Sequence, residues 1–353
     1  MTTRYQRLRE QLAASPKRWL ITGVAGFIGS NLLEDLLSLG QTVVGLDNFS
    51  TGHRGNLSDA LSAQWQHAQN FSLIEGDIRD EATCRRACTG VDYVLHHAAV
   101  ASVPRSISEP AVNHAVNVDG FINMLMAAKD ASVSRFVYAS SSAVYGDATT
   151  QPQVEERLGR PLSPYAASKA INETYAVAFE MAYGMRTVGL RYFNIFGPRQ
   201  DPEGAYAAVI PRWASNLLLE LPCVIYGDGE TTRDFCHVGN VVQANLLAAT
   251  TNHASATGEA YNIACAAPLT LNALYETMRR QLEQSLPRVG SAAPTYEPFR
   301  AGDIRHSSAS IEKASRLLGF APTHSVEAGL QETLAWYLDQ SRPVLSSEAA
   351  NVR

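Results

Sequence analysis

Arg18-Trp-Leu-Ile-Thr22, followed at once by Gly23-Val-Ala-Gly26-Phe-Ile-Gly29, decides the fold. The first five residues read as a compact buried strand. From Phe27 to Leu39 apolar residues recur at helical spacing, and the pattern stops at Gly40. A strand, a glycine-rich turn and an amphipathic helix give each glycine a task. Gly23 permits a tight turn, Gly26 lets the backbone approach a ligand, and Gly29 lets the helix pack closely on the sheet. The free N–H groups and the dipole at the helix start favour a diphosphate there. A lone glycine motif is weak evidence; the strand before it and the helix after it give this one its meaning.

Working outward, Thr42-Val-Val-Gly-Leu46 reads as a second strand ending at Asp47, 18 residues beyond Gly29. A carboxylate at that place can accept hydrogen bonds from a ribose diol and repels a 2′-phosphate. It points to NAD rather than NADP, with Asn48 beside it. Phe71-Ser-Leu-Ile74 precedes Asp77-Ile78, which are placed to contact an adenine. Tyr93–His96, Arg135–Tyr138 and Thr187–Arg191 read as further strands with helical stretches between them. Such alternation predicts an α/β fold: a Rossmann-type, doubly wound parallel sheet covered on both faces. After Arg191 the loops lengthen and become rich in Pro and Gly, which predicts a smaller α/β substrate-binding lobe. The expected division is 1–191 plus 238–266 for the NAD-binding domain and 192–237 plus 267–340 for the lobe. A short charged helix is expected within 1–17, and a frayed polar tail over 341–353.

At 353 residues, with 46% hydrophobic and 18% charged residues, the composition is that of an ordinary globular chain. The net charge of −5 disfavours a general nucleic-acid binder, since no basic excess exists to replace counterions. No window reaches the apolar length of a membrane span, and the polar N-terminus does not read as a secretory signal. The cysteines, Cys84, Cys88, Cys223, Cys236 and Cys265, are odd in number and lack a Cys-x-x-Cys pair. Reduced thiols and a cytoplasmic location are therefore expected. His96 and His97 follow a strand without carboxylates at ligand spacing; packing or cofactor contact is expected there, and no metal centre.

The chemistry is carried by Ser140-Ser141-Ser142 and by Tyr165-Ala-Ala-Ser-Lys169. Ser163 and Pro164 form a good helix start, which puts Tyr165 and Lys169 on one helical face. Ser141 lies just past a strand, on the ligand-binding edge of the sheet. A sugar hydroxyl is a poor acid, and a tyrosine of pKa ~10 is too weak a base at neutral pH. The Lys169 ammonium and a cationic nicotinamide ring both favour tyrosinate, while a serine hydroxyl can orient the same sugar oxygen.

These segments resemble the extended short-chain dehydrogenase/reductase family, and within it the nucleotide-sugar 4-epimerases. The resemblance covers nearly the whole chain. It includes Gly76-Asp77-Ile78, Ser140–Gly146, Ser163–Lys169, Arg191-Tyr-Phe-Asn194 and Gly227–Phe235. Ser102–Ser106 and Arg199–Pro211 resemble most the bacterial UDP-N-acetylglucosamine 4-epimerases that supply surface-polysaccharide synthesis. The resemblance implies Tyr165 as acid/base, Lys169 as its partner and a ligand of the nicotinamide ribose, and Ser141 as the catalytic serine. It also implies Phe27, Ile28, Asn117 and Phe193 around the cofactor. Ser102, Ser142, Asn194, Arg233, Arg300 and Asp303 would lie around the UDP-sugar. It further implies a homodimer built from helices near 105–130 and 165–182.

Within that family, 4,6-dehydratases place Asp-Glu directly after the catalytic serine or threonine, and UDP-glucuronate decarboxylases keep the glutamate. Here those positions are Ser142 and Ala143, which cannot shuttle a proton as a carboxyl does. A C4 epimerisation through a 4-keto sugar is the expected reaction. Ser307 aligns with a position where epimerases restricted to UDP-glucose carry tyrosine; a small residue leaves room for an acetamido group. UDP-GlcNAc/UDP-GalNAc interconversion is therefore expected as preferred, with UDP-glucose/UDP-galactose slower. A UDP-uronic acid 4-epimerase and a non-catalytic nucleotide-binding module are the competing readings.

Overall fold

A computed structural model describes residues 2–203, 207–299 and 305–351. Helix α1 (Arg4–Ala14) is held by a reciprocal cap, Thr3 accepting from Gln6 N and the Gln6 side chain from Thr3 N. Then come β1 (Arg18–Thr22), α2 (Phe27–Ser38), β2 (Thr42–Asp47), α3 (Arg54–Ala63), β3 (Phe71–Glu75), α4 (Glu81–Cys88) and β4 (Tyr93–His96). Two short helices, α5 (Val103–Ser108) and α6 (Pro110–His114), lead through a π-helical turn, Ala115–Asp119, into α7 (Gly120–Asp130). Next are β5 (Arg135–Ser141), the long α8 (Pro164–Tyr183) and β6 (Thr187–Tyr192). The second half runs β7 (Ile195–Phe196), α9 (Val209–Leu218), β8 (Val224–Tyr226), β9 (Thr232–Arg233), β10 (Cys236–His237), α10 (Val238–Thr250) and β11 (Glu259–Ile263). It ends with β12 (Leu269–Thr270), α11 (Leu271–Glu283), β13 (Thr295–Glu297), α12 (Glu312–Leu318) and α13 (Val326–Asn351).

Seven strands form one parallel sheet in the order β11-β6-β5-β4-β1-β2-β3. The order reverses between β1 and β4, which opens a crevice at their carboxyl ends. Alternation along the strands feeds two cores. Trp19, Ile21 and Val43 join a cluster under α2 and α10, while Leu20, Val44 and Val94 join one under α4 and α7. Both faces are thus covered, as an all-parallel sheet requires. Helix α10 is buried almost all round, which suits an element packed between the sheet, α2 and α12.

A third core, with Trp213, Leu217, Leu274, Met278 and Leu334, joins α9, α11 and α13 into the smaller α/β lobe. Beside it stand the two-stranded ladders β7·β10, β8·β13 and β9·β12. Helix α13 runs on to Asn351.

Candidate active site

The glycine turn stands at the carboxyl end of β1, at the reversal of strand order. Gly23 has φ +69°, and a Cβ there would meet Ala98 N at 2.8 Å. At Gly29 a Cβ would lie 2.1 Å from Gly23 O, so only glycine lets α2 pack against the turn. Helix α2 has no side-chain cap, and Phe27, Ile28 and Gly29 line the adjoining cavity of about 530 Å³. Its first-turn N–H groups therefore face a space fit for phosphate oxygens.

Asp47 is buried at the end of β2 and lines the same cavity. Its Oδ2 accepts from Ala25 N at 2.8 Å and its Oδ1 from Phe49 N at 2.8 Å. The carboxylate thus pins the glycine turn while each oxygen keeps a lone pair for a ribose hydroxyl. Asn48 Nδ2 donates to Asp77 Oδ2 at 2.8 Å, and Ile78 closes the wall beside them. Hydrogen bonds from Arg79 hold the Asp77 carboxyl at about 2, below the usual carboxylate range.

The other end of the cavity holds Ser141, Ser142, Tyr165 and Lys169. Ser163 caps α8 by accepting from Ala166 N at 3.1 Å, Pro164 follows, and Ser106 Oγ accepts from Tyr165 N at 3.1 Å. Those bonds fix the first turn of α8. Ser141 ends β5 and caps a single 3₁₀ turn, accepting from Ala143 N at 3.2 Å. Burial pushes the Tyr165 hydroxyl above its ordinary range, and the neighbouring Ser141 hydroxyl pulls it back. Lys169 is buried, donates to Ala139 O at 2.8 Å, and lies 6.0 Å from the centre of the Tyr165 ring. Burial lowers Lys169 to about 8, and the Glu173 carboxylate opposes that fall. The result is a buried cation beside a phenol and a serine hydroxyl, an arrangement able to move a proton on and off an alcohol.

Other expected site residues are spread more widely. Asn194, at φ +39°, lies between the first cavity and a second of about 280 Å³, which Arg233 also lines. Ser102 caps α5, accepting from Arg105 N at 3.2 Å, outside both cavities. Asn117 sits behind the wall: its amide exchanges hydrogen bonds with Val100 N and O and donates to Ser168 Oγ. Phe193 is fully buried against Tyr145. Ser307 N donates to Thr232 O at 3.2 Å beside β9, and the residue lines neither cavity. Arg300 and Asp303 lie outside the described residues.

The structure adds residues that motif reading passed over. Glu173 accepts from Arg191 Nε at 2.9 Å and Nη2 at 2.8 Å, and from Ser140 Oγ at 2.5 Å. Ser140 and Arg191 are paired across β5 and β6, so this knot ties the Ser141 strand to the Tyr165 helix. The fourfold spacing of Tyr165, Lys169 and Glu173 was the available signal. His97 Nε2 meets the Tyr192 hydroxyl at 2.9 Å in the cavity wall, and burial lowers that imidazole to about 4. His96 Nδ1 meets Thr22 Oγ1 at 2.9 Å and packs against Phe121 and Phe136. Arg212 and Trp213 line the second cavity.

A dinucleotide-type crevice with a Ser-Tyr-Lys set at its far end defines a nucleotide-dependent oxidoreductase-like fold and site. The model of the NAD dependent epimerase/dehydratase family matches residues 19–264, and the chain belongs to that family. It is 33% identical over 329 residues to the UDP-glucose 4-epimerase of Mycolicibacterium smegmatis, covering 92% of this chain and 100% of that one. It is 30% identical over 324 residues to the UDP-glucuronate 4-epimerase of Thermodesulfobacterium geofontis, covering 90% and 95%. Among solved structures it resembles the UDP-N-acetylglucosamine 4-epimerase of Methanobrevibacter ruminantium M1 in complex with UDP-N-acetylmuramic acid. There the TM-score is 0.84, with 37% identity over 92% of this chain and 99% of that one. These likenesses run across sugar classes and do not single out one. No helix among the described residues is long and apolar enough to cross a membrane.

Proposed function

We propose that the chain interconverts the C4 epimers of a UDP-sugar with tightly held NAD, preferring UDP-GlcNAc and UDP-GalNAc. One observation carries the reading: a single cavity has the glycine turn and Asp47 at one end and Ser141, Tyr165 and Lys169 at the other. Bound in that cavity, NAD supplies a reversible hydride acceptor for C4. The chain's own residues handle the proton. Ser141 orients O4. Tyr165 takes the O4 proton as the alcohol is oxidised and returns it when the ketone is reduced on its other face. The Lys169 cation favours the tyrosinate needed for the first step. Asn194 and Arg233, on the second cavity, suit the diphosphate and uridine, since an arginine offers several charge-assisted donors.

Dehydration needs a second acid/base pair. The carboxylates lining the first cavity are Asp47, Asp77 and Asp201. Asp47 and Asp77 are committed to the glycine turn and to Arg79, and Asp201 lies 3.4 Å from His53. None adjoins Ser141, which favours epimerisation. The Lys and Arg side chains on that cavity are Lys169 and Arg199, and Arg199 is paired with Glu34 and Asn31. Among the described residues this leaves the first cavity without a spare cation for a uronate. Ser307 lines neither cavity, so the acetamido preference rests on the resemblance to related epimerases at that position. An acetamido-sugar product suits surface-polysaccharide synthesis.

A homodimer through α5 and α8 completes the reading: Ile107 is 63% and Met181 83% exposed on those helices. Incubation with UDP-GlcNAc, UDP-Glc and their uronates, with products resolved by NMR, tests the preference. Faster turnover of UDP-Glc or of a uronate would overturn it.

A further inference from the structure

Away from the crevice, three side chains from two distant parts of the sequence converge where α13 meets β10 and the start of α10. His237 caps α10, His324 lies just before α13, and Glu332 is on α13. We propose that His237, His324 and Glu332 bind one divalent transition-metal ion of the zinc class. One ligand atom from each lies within 4.8 Å of the others. His237 Nε2 is 4.0 Å from Glu332 Oε2, and His324 Nε2 is 3.4 Å from Glu332 Oε1. Tetrahedral zinc with N and O ligands at ~2.0–2.2 Å spaces its donors a little over 3 Å apart, so a small inward movement suffices.

Two observations point to a ligand rather than to a chance meeting. His237 is 3% exposed, and its Nε2 is buried without a hydrogen-bond partner, facing the other two side chains. Such an orphaned buried nitrogen is costly unless something satisfies it. Secondly, the backbone is shaped around both imidazoles. A Cβ on Gly239 would lie 2.8 Å from His324 Cε1, and one on Gly329 would lie 2.7 Å from His237 Cβ. Neither glycine has positive φ, so what they provide is space.

The His324 backbone is held independently. Asn240 Oδ1 accepts from Thr323 N and His324 N, and Asn240 Nδ2 donates to His324 O at 2.9 Å. A cavity of about 520 Å³ opens beside all three residues, giving an ion an entry path and a water a fourth position. The donor set, two imidazoles and a carboxylate, suits zinc over calcium or magnesium. A metal on Nε2 requires the His237 proton on Nδ1, so the 3.3 Å contact from Gly239 N to Nδ1 is exchanged for the metal bond. The bound ion would tie α13 to α10 and so brace the lobe against the sheet.

The test uses the full-length protein, stripped with a chelator, titrated with zinc chloride by calorimetry and followed by thermal unfolding. One equivalent bound, with a raised Tm, is expected. Glu332→Gln changes a side chain that is 53% exposed and should lose both responses while folding normally, as should His324→Ala. No heat and no Tm shift in the parent protein would overturn the proposal. So would zinc binding that survives in both variants, since the ion would then sit elsewhere.

Discussion

Glu173 grips Arg191 through two parallel hydrogen bonds, 2.9 and 2.8 Å long, on the same face of α8 that presents Tyr165 and Lys169. Both side chains are largely buried, at 13% and 5% exposure. The pair sits between the strand that ends at Ser141 and the helix that carries Tyr165 and Lys169. Its charge also acts on Lys169, opposing the lowering that burial imposes.

Glu173→Gln should therefore show two effects. Breaking a buried ion pair on one side leaves Arg191 uncompensated, and a loss of about 3–5 kcal/mol is expected in chemical denaturation. The second concerns pH. Lys169 is charged below about 8 and neutral above it. Activity that needs its cation falls as pH rises through that value. Removing the Glu173 charge lowers Lys169 further, so the basic limb of the kcat profile should move to lower pH. A limb that stays in place would show that the pair is structural only.

In the proposed reaction Tyr165 moves the O4 proton, and Tyr165→Phe removes that hydroxyl while keeping the ring. A loss of about 10²–10⁴-fold in kcat is expected. Cofactor content, measured on the purified variant, should remain that of the parent.

Asp47 serves the glycine turn and, in the proposed reading, the adenosine ribose. Asp47→Ala should weaken NAD binding roughly tenfold or more, since a hydrogen bond to a charged group is worth about 1.5–3 kcal/mol. Titration of the cofactor-depleted protein measures it. An unchanged affinity would confine Asp47 to its backbone bonds.

Ser307→Tyr tests the sugar preference. Turnover of UDP-GlcNAc should fall steeply while UDP-Glc turnover persists. A variant that keeps its acetamido activity removes Ser307 from the specificity argument, and its place beside Thr232, off the cavity walls, makes this a sharp test.

Met181→Glu puts a charge on the exposed face of α8. Sedimentation should show the parent as a dimer and the variant as a monomer. A parent that sediments as a monomer would contradict the dimer.

Much of the fold was legible because its signals are local. The run at 18–22, the glycine turn and the alternation of strands with helices each act within a few residues. They lead to the seven-stranded parallel sheet and the smaller lobe. The seven-strand order and the short ladders of the lobe depend on long-range pairing that no local pattern encodes. Within the site, Tyr165 and Lys169 share a helix, and one turn of α8 relates them. The bracing of Ser141 by Glu173, Arg191 and Ser140 was hidden because its members come from three elements. His237, His324 and Glu332 illustrate the same limit: His237 lies far in sequence from the other two, and only the packing of α13 against β10 brings them together.

The most direct test follows UDP-GlcNAc incubated with the wild-type protein in D₂O, observed by proton NMR. Hydride chemistry at C4 predicts UDP-GalNAc that keeps protium at C4, because that hydrogen never exchanges with solvent. Deuterium at C4 would indicate epimerisation by proton abstraction, and the absence of UDP-GalNAc from a cofactor-loaded protein would contradict the proposed reaction outright.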